Sequence, residues 1–291
     1  MGILFLCILF NAIIGVIFKM FHRYNIDNVQ AIVFNYITCI IVATAVQREI
    51  PISSNLSEQP WLYYAAGLGL FFIIVFNTLA VTMQYFGIVI GTVFQKMSLI
   101  APTLLAILVY DEPGSVFKWI GIATALIAII LLNYEKSDAN AQTTQQRNAT
   151  MWIFPIATFL GSCVIDSGFY YIEKNNFADN GDIGFIATLF LFTSIYGLII
   201  LFFRLVRQQS IFAWNNVVAG IALGIPNFFA IYLLILALQQ GWGGSVVFPV
   251  NNVGILVLSA FFGILIFRER ITGYRITGFL LALTSILLIT Y

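Results

Sequence analysis

Charge is what this chain has least of. Only 13 of its 291 residues are Lys or Arg and 12 are Asp or Glu, 9% in all, against 61% hydrophobic residues. Soluble chains average about 25% charged and roughly 45–50% apolar. So few charges cannot solubilise the surface of a core this apolar, which excludes a soluble enzyme and a disordered chain. The net charge of +1 excludes a nucleic-acid binder, because phosphate backbones are held by many clustered Lys and Arg. There is one histidine, His22, beside Arg23, a solvated turn residue rather than a base or ligand. No HExxH, GxSxG or paired intramembrane aspartate is present, which argues against an intramembrane enzyme, and Asn180-Gly181-Asp182 reads as a turn. Without a GxxxxGK[ST] loop, energy for any transport must come from gradients. Cys7, Cys39 and Cys163 sit singly in apolar stretches, as packing residues rather than a disulfide framework or a CxxC metal site. No cofactor is implied.

What the chain does have is long apolar runs, ten of them, at approximately 2–20, 29–46, 61–83, 88–110, 116–133, 151–172, 183–203, 214–238, 244–267 and 273–291. A helical membrane span takes about 20 such residues. The runs lack the alternation of barrel strands and are twice too long for them. The spacing predicts an all-α polytopic membrane protein of ten transmembrane helices. The first run is expected to stay on the protein, since it has no basic leader and ends at Lys19 rather than at a small-residue cleavage site.

The polar stretch 134–150, containing EKSDANAQTTQQRN, reads as a linker. It separates residues 1–133 from 151–291, five runs each. A shift of 157 aligns EPGSVFKWIGIATALIAIILLN with ERITGYRITGFLLALTSILLIT without a gap, pairing Glu112 with Glu269, Gly121 with Gly278, Ala125 with Ala282 and Lys118 with Arg275. One gap extends the match to Gln84 with Gln240 and Gly87 with Gly243. An odd number of spans per half makes the second copy enter the membrane from the opposite side, an inverted repeat. Connections after odd-numbered runs hold nine basic residues, among them Lys19, Arg23, Arg204, Arg207 and Arg268; those after even-numbered runs hold Arg48, Lys118 and Lys174. Lys and Arg concentrate in cytoplasmic loops, so this count puts the odd connections in the cytoplasm and both termini outside.

The five-plus-five plan, with an apolar hairpin closed by an acid-containing turn in each half, resembles the EamA-type transporters of the drug/metabolite transporter superfamily. The turns are LVYDEPGSVFKWIGI and LIFRERITGYRITGF. Where family members commonly read Gly-Glu-Arg, Asp111-Glu112-Pro113 and Arg268-Glu269-Arg270 keep the Glu and lose the Gly. The resemblance implies a secondary transporter that exports or exchanges small metabolites, amino acids or drugs through a central cavity, in the plasma (bacterial inner) membrane. It also implies cytoplasmic termini, against the charge count, and orientation stays open. The expected partners are a small-molecule substrate, protons and the lipid bilayer; the oligomeric state is open, and a monomer is compatible with the plan.

Two charges fall inside spans, where insertion costs roughly 2.5–3.5 kcal/mol each. Lys96 lies about eight residues, some 12 Å, into its run, and Asn251 and Asn252 align on Gln95 and Lys96 in the other half. The functional reading has Lys96 meet an anionic substrate group while Gln95, Asn251 and Asn252 orient it. The structural alternative is a lysine that caps carbonyls freed by Pro102 or Pro249, or pairs with Asp166. Asp166 is placed roughly 10 Å away in depth, too far for a direct ion pair by helix rise. A desolvated carboxylate can load and release a proton near neutral pH, so Asp166 is the candidate for proton coupling; the alternative is a structural carboxylate near Tyr170. Asn11 and Asn35, with Tyr36, Asn77, Asn227 and Tyr232, could line the same cavity or bond helix to helix. A proton-coupled exporter of cationic drugs and a non-transporting scaffold remain as alternatives.

Overall fold

The computed structural model describes residues 2–48, 56–111, 114–133, 149–177, 183–239, 244–269 and 273–291. The linker 134–148, Glu112 and Arg270 lie outside them. Among the described residues all regular structure is helical: α1 (Gly2–Arg23), α2 (Asn28–Gln47), α3 (Leu62–Phe86), α4 (Ile88–Lys96), α5 (Ile100–Leu108), α6 (Val116–Asn133), α7 (Ile153–Lys174), α8 (Ile183–Val206), α9 (Trp214–Gln239), α10 (Gly244–Phe267) and α11 (Gly273–Thr290). Eight helical segments are long and apolar enough to cross a membrane, the α4–α5 rod counting as one of them; α6 and α11 carry the shorter apolar stretches Val116–Ala128 and Ile276–Ile289.

The fourth run departs from expectation, because a 3-10 turn at Met97–Leu99 breaks it into α4 and α5. Proline supplies the reason. Pro102 has no N–H to give the Ser98 carbonyl, and its ring crowds that oxygen. The break falls within one turn of Lys96.

Packing does not follow the division of the sequence. One hydrophobic core draws Phe18, Tyr36 and Phe76 from the first half together with Ile172, Phe190 and Leu223 from the second. Another joins Val93 and Ala125 to Leu256, Ala282 and Ile286. The helix pairs come in matched sets: α2 packs on α9 and α3 on α8; α1 on α9 and α3 on α7; α1 on α10 and α7 on α4 and α5. Exchanging every helix for the one five runs away turns each pair into its counterpart. The α6 and α11 helices pack on each other, with Ala125 and Ala282 fully buried and the Ser285 hydroxyl donating to the Gly121 carbonyl at 2.8 Å. Lipid tails are as apolar as these faces, so close approach rather than the hydrophobic effect holds such pairs. The α2–α9 pair illustrates it: a Cβ on Gly220 or Gly224 would lie 2.6 Å from the carbonyl oxygens of Ala31 and Asn35.

The ends of helices gather on one side into two polar clusters. In the first, Asp27 caps α2 by accepting from the Gln30 N–H at 3.1 Å. It also takes Arg204 at 3.0 Å and the Ser210 hydroxyl at 2.9 Å. The fully buried Gln30 donates to Ser210 and to the Ile211 carbonyl and accepts from Asn216. In the second, the turn acid Glu269 accepts the Ile88 N–H at 2.9 Å, capping α4. Lys19 stands 3.7 Å from the same carboxylate and donates to the Gln84 carbonyl at 3.0 Å.

Gly87 makes room for that carboxylate. Its φ of 100° and ψ of 162° lie in a region that is essentially glycine-only, and a Cβ there would sit 2.7 Å from Glu269 Oε2. Gly87→Ala should therefore lower the melting temperature of detergent-solubilised protein, by the equivalent of about 1–3 kcal/mol. Thermal unfolding followed by tryptophan fluorescence checks this, and an unchanged midpoint would show that the carboxylate does not need the gap.

Candidate functional site

The helices enclose a central cavity of 510 Å³, within the 300–1,000 Å³ of ordinary small-molecule sites. Its walls come from α1, α3, α4, α5, α7, α8, α9 and α10, so both halves contribute, while α2, α6 and α11 stay out of it. Towards the polar clusters its floor is Met83, which fits against Gly15 and Gly91: a Cβ on Gly91 would come 2.5 Å from the Met83 side chain. Towards the other side the lining runs through Tyr170, Ile172, Phe185 and Ile186, near where α7 ends and α8 begins. Much of the wall is aromatic, with Phe72, Phe76, Phe169 and Phe190.

Five of the six residues expected to contact substrate line this cavity: Lys96, Gln95, Asn251, Asn252 and Asn11. Asp166, expected to carry a proton, lines it too. Lys96 is the last residue of α4. Among the described residues its ammonium has no hydrogen-bond or ion-pair partner, so it does not cap the carbonyls around Pro102. Asp166 faces the same space and interacts electrostatically with Lys96, yet no ion pair within 4.0 Å joins them among the described residues. Both charges therefore front the cavity without closing on each other.

The amides divide by environment. Asn11 donates to its own helix at the Cys7 carbonyl, 3.0 Å away. Asn251 is 4% exposed and its Oδ1 lies 3.3 Å from the Cys7 thiol, which is also 3.1 Å from the Ala230 carbonyl. Asn252, nearly as buried, has no hydrogen-bond partner among the described residues and fronts the cavity. Asn35 is the exception to the expected set. It is fully buried between α2 and α9, accepts from Asn227 Nδ2 at 3.1 Å and is absent from the cavity wall. Helical phase explains it, since the face of α2 that carries Asn35 is the face that receives Gly224. Of the more weakly marked residues, Asn227 reaches the cavity; Tyr36, Asn77 and Tyr232 do not.

Two hydroxyls escaped sequence reasoning. Ser98, in the turn between α4 and α5, hydrogen-bonds the Asp166 carboxylate and the Gln95 carbonyl. Ser162 is 5% exposed, lines the cavity, and its hydroxyl has no hydrogen-bond partner among the described residues. Serines in apolar helices commonly bond their own backbone, so neither stood out; the sign available for Ser98 was its position four residues before Pro102. No group of three or more His, Cys, Asp or Glu able to hold a metal comes together among the described residues.

Comparison with known proteins places this architecture. The EamA-like transporter family pattern matches residues 150–291, which span α7 to α11. A protein of Haemophilus influenzae (strain Rd), described as uncharacterized, is 30% identical over 298 residues, covering 99% of this chain and 97% of its own. The chain belongs to the EamA-like transporter family. It is thereby a member of the drug/metabolite transporter superfamily and an integral, multi-pass membrane protein. A crystal structure with 17% identity superposes at a TM-score of 0.56 over 98% of this chain and 94% of that one, a likeness of fold. EamA-like proteins form a transporter family, and the described cavity wall here carries an ammonium, a carboxylate, amides and aromatic rings.

The two kinds of asparagine should separate on mutation. Asn35→Ala is expected to lower thermal stability modestly, by roughly the 0.6 kcal/mol of an average interhelical hydrogen bond in a membrane, and to leave ligand affinity alone. Asn252→Ala should do the reverse. Melting curves with and without a transported ligand measure both, and an affinity loss in Asn35→Ala would place that residue in the site after all.

Proposed function

We propose that this EamA-like protein is a secondary transporter, an exporter or exchanger. In this reading it carries small molecules bearing a carboxylate or another anionic group through the central cavity by alternating access. The observation that carries the reading is Lys96: an ammonium within a membrane-spanning segment, facing the cavity, with no hydrogen-bond or ion-pair partner among the described residues. Such a charge must be compensated by water or by a bound anion, because left bare in hydrocarbon it is costly. Asp166 on the same wall would receive the amine of a zwitterion, and the phenyl rings that also line the cavity suit an apolar body.

Ten spans in two inverted five-helix repeats are part of the proposal. The 157-residue register and the matched helix pairs support it, as does a cavity built from both halves. Rocking one half against the other around a fixed site then gives alternating access. The basic ends of α1 and α8 support a reading in which the Glu269 and Asp27 clusters face the cytoplasm from a bacterial inner membrane and the cavity reaches towards the opposite side.

A second reading, a proton-coupled exporter of cationic compounds, is favoured by the carboxylate of Asp166 in a cavity wall. Transport by protein in vesicles, with and without a pH gradient, across amino acids, organic acids and cationic drugs, distinguishes the two. Organic acids and zwitterions should be the substrates, and movement of cationic drugs alone would favour the second reading.

Lys96→Met keeps the length and removes the charge. Affinity for anionic and zwitterionic substrates should fall about 10- to 100-fold, the loss of a roughly 1.5–3 kcal/mol charged hydrogen bond. The melting temperature should hold or rise, since the burial cost disappears. Wild-type transport in this variant rejects the role, and lost transport with a collapsed melting temperature assigns Lys96 to structure.

Asp166→Asn retains shape but cannot titrate. It should abolish the pH dependence of net transport and leave substrate exchange partly intact. Unaltered pH dependence would make Asp166 structural.

A further inference from the structure

The Ser98 hydroxyl stands between two acceptors, a carboxylate oxygen of Asp166 on α7 and the backbone carbonyl of Gln95 at the end of α4. A hydroxyl has one proton to give and lone pairs to receive one. With Asp166 ionised the proton goes to the carboxylate, because hydrogen bonds to a charge are about twice as strong as neutral ones. With Asp166 protonated, its O–H donates to Ser98 Oγ and the serine proton turns to the Gln95 carbonyl. One proton on Asp166 thus reverses the Asp166–Ser98 bond and switches the Ser98 proton onto the Gln95 carbonyl. The carbonyl at the far end precedes Lys96 directly, in the stretch that Pro102 leaves broken. There the Ser98 hydroxyl shares the Gln95 carbonyl with the Met97 N–H.

We propose that Ser98 is the positioning residue that transmits the proton state of Asp166 to the α4–α5 break, and so to Lys96 and Gln95 in the cavity wall. The inference rests on the reading of Asp166 as the coupling carboxylate and adds the route by which its proton is felt. The charged or titratable groups that act on Asp166 are Lys96 on α4, Cys163 on α7 itself and, through Lys96, Cys7 on α1. Tyr170 follows one turn later on the cavity wall. The α3 and α5 helices, also packed on α7, place only uncharged, non-titrating side chains on the cavity. Ser98 is 2% exposed, so bulk water does not replace its bonds freely.

The test is the pH profile of net transport in proteoliposomes for wild type, Ser98→Ala, Ser98→Thr and Asp166→Asn. Between about pH 6 and about pH 8, where a desolvated carboxylate can exchange its proton, the wild-type rate should change with pH. Ser98→Ala should flatten that change as Asp166→Asn does, and Ser98→Thr, which keeps the hydroxyl, should restore it. A flat profile in Asp166→Asn with a wild-type profile in Ser98→Ala overturns the role of Ser98 and leaves the coupling reading standing. A wild-type profile in Asp166→Asn removes the coupling reading, and the inference with it. If Ser98→Thr is as flat as Ser98→Ala, the hydroxyl is not the agent and the inference fails.

Discussion

A helix that begins inside a membrane protein exposes backbone N–H groups with no carbonyl to meet them, and hydrocarbon supplies no water in their place. The start of α4 depends on a side chain from the far end of the chain. Glu269, in the turn before α11, accepts the Ile88 N–H and takes the Lys19 charge beside it. A carboxylate at a helix N-terminus also meets the favourable end of the peptide dipole. The glycines at 87 and 263 are what let it in, since a Cβ on either would fall within 3 Å of the carboxylate. Through this group α1, α3, α4 and α10 are fastened at one end of the bundle, and the orientation of α4, hence of Lys96 at its other end, follows from it.

The remaining helix contacts obey a different constraint. Apolar faces gain little by meeting each other in lipid, so small residues and shared polar groups bring backbones close. Gly220 and Gly224 against α2, Ala125 against the α11 face, and the Thr78–Thr158 bond between α3 and α7 are local versions of one solution. The pairs they form link the two sequence halves throughout. The halves are units of pattern and not of packing: a core that mixes Phe18 with Phe190, and another that mixes Ala125 with Ala282, cannot be assembled from either half alone.

Much of this was readable before any coordinates. Long apolar runs mark helices because hydrocarbon admits little else, and each expected run coincides with a helical rod. Lys96, Gln95, Asn251 and Asn252 could be grouped because polar groups at matching depths attract notice against an apolar background. Asn35 shows where that reasoning stops. Depth is legible from residue count, but which face of a buried helix meets a cavity depends on partners far away in sequence, here Gly224 and Asn227. The Asp27–Arg204 pair was invisible for the same reason. Ser98 was missed because a lone hydroxyl in a helix carries no distinguishing pattern, and the broken rod because a proline tells of a defect without saying how the chain absorbs it.

The cavity wall takes nothing from α6 or α11, which bind each other through Gly121, Ala125, Ala282 and Ser285. The α6–α11 pair and the cavity wall therefore draw on different residues. Under the proposed function, substitutions at 95, 96, 251 and 252 would change cargo without touching the helix pair at 121 and 285.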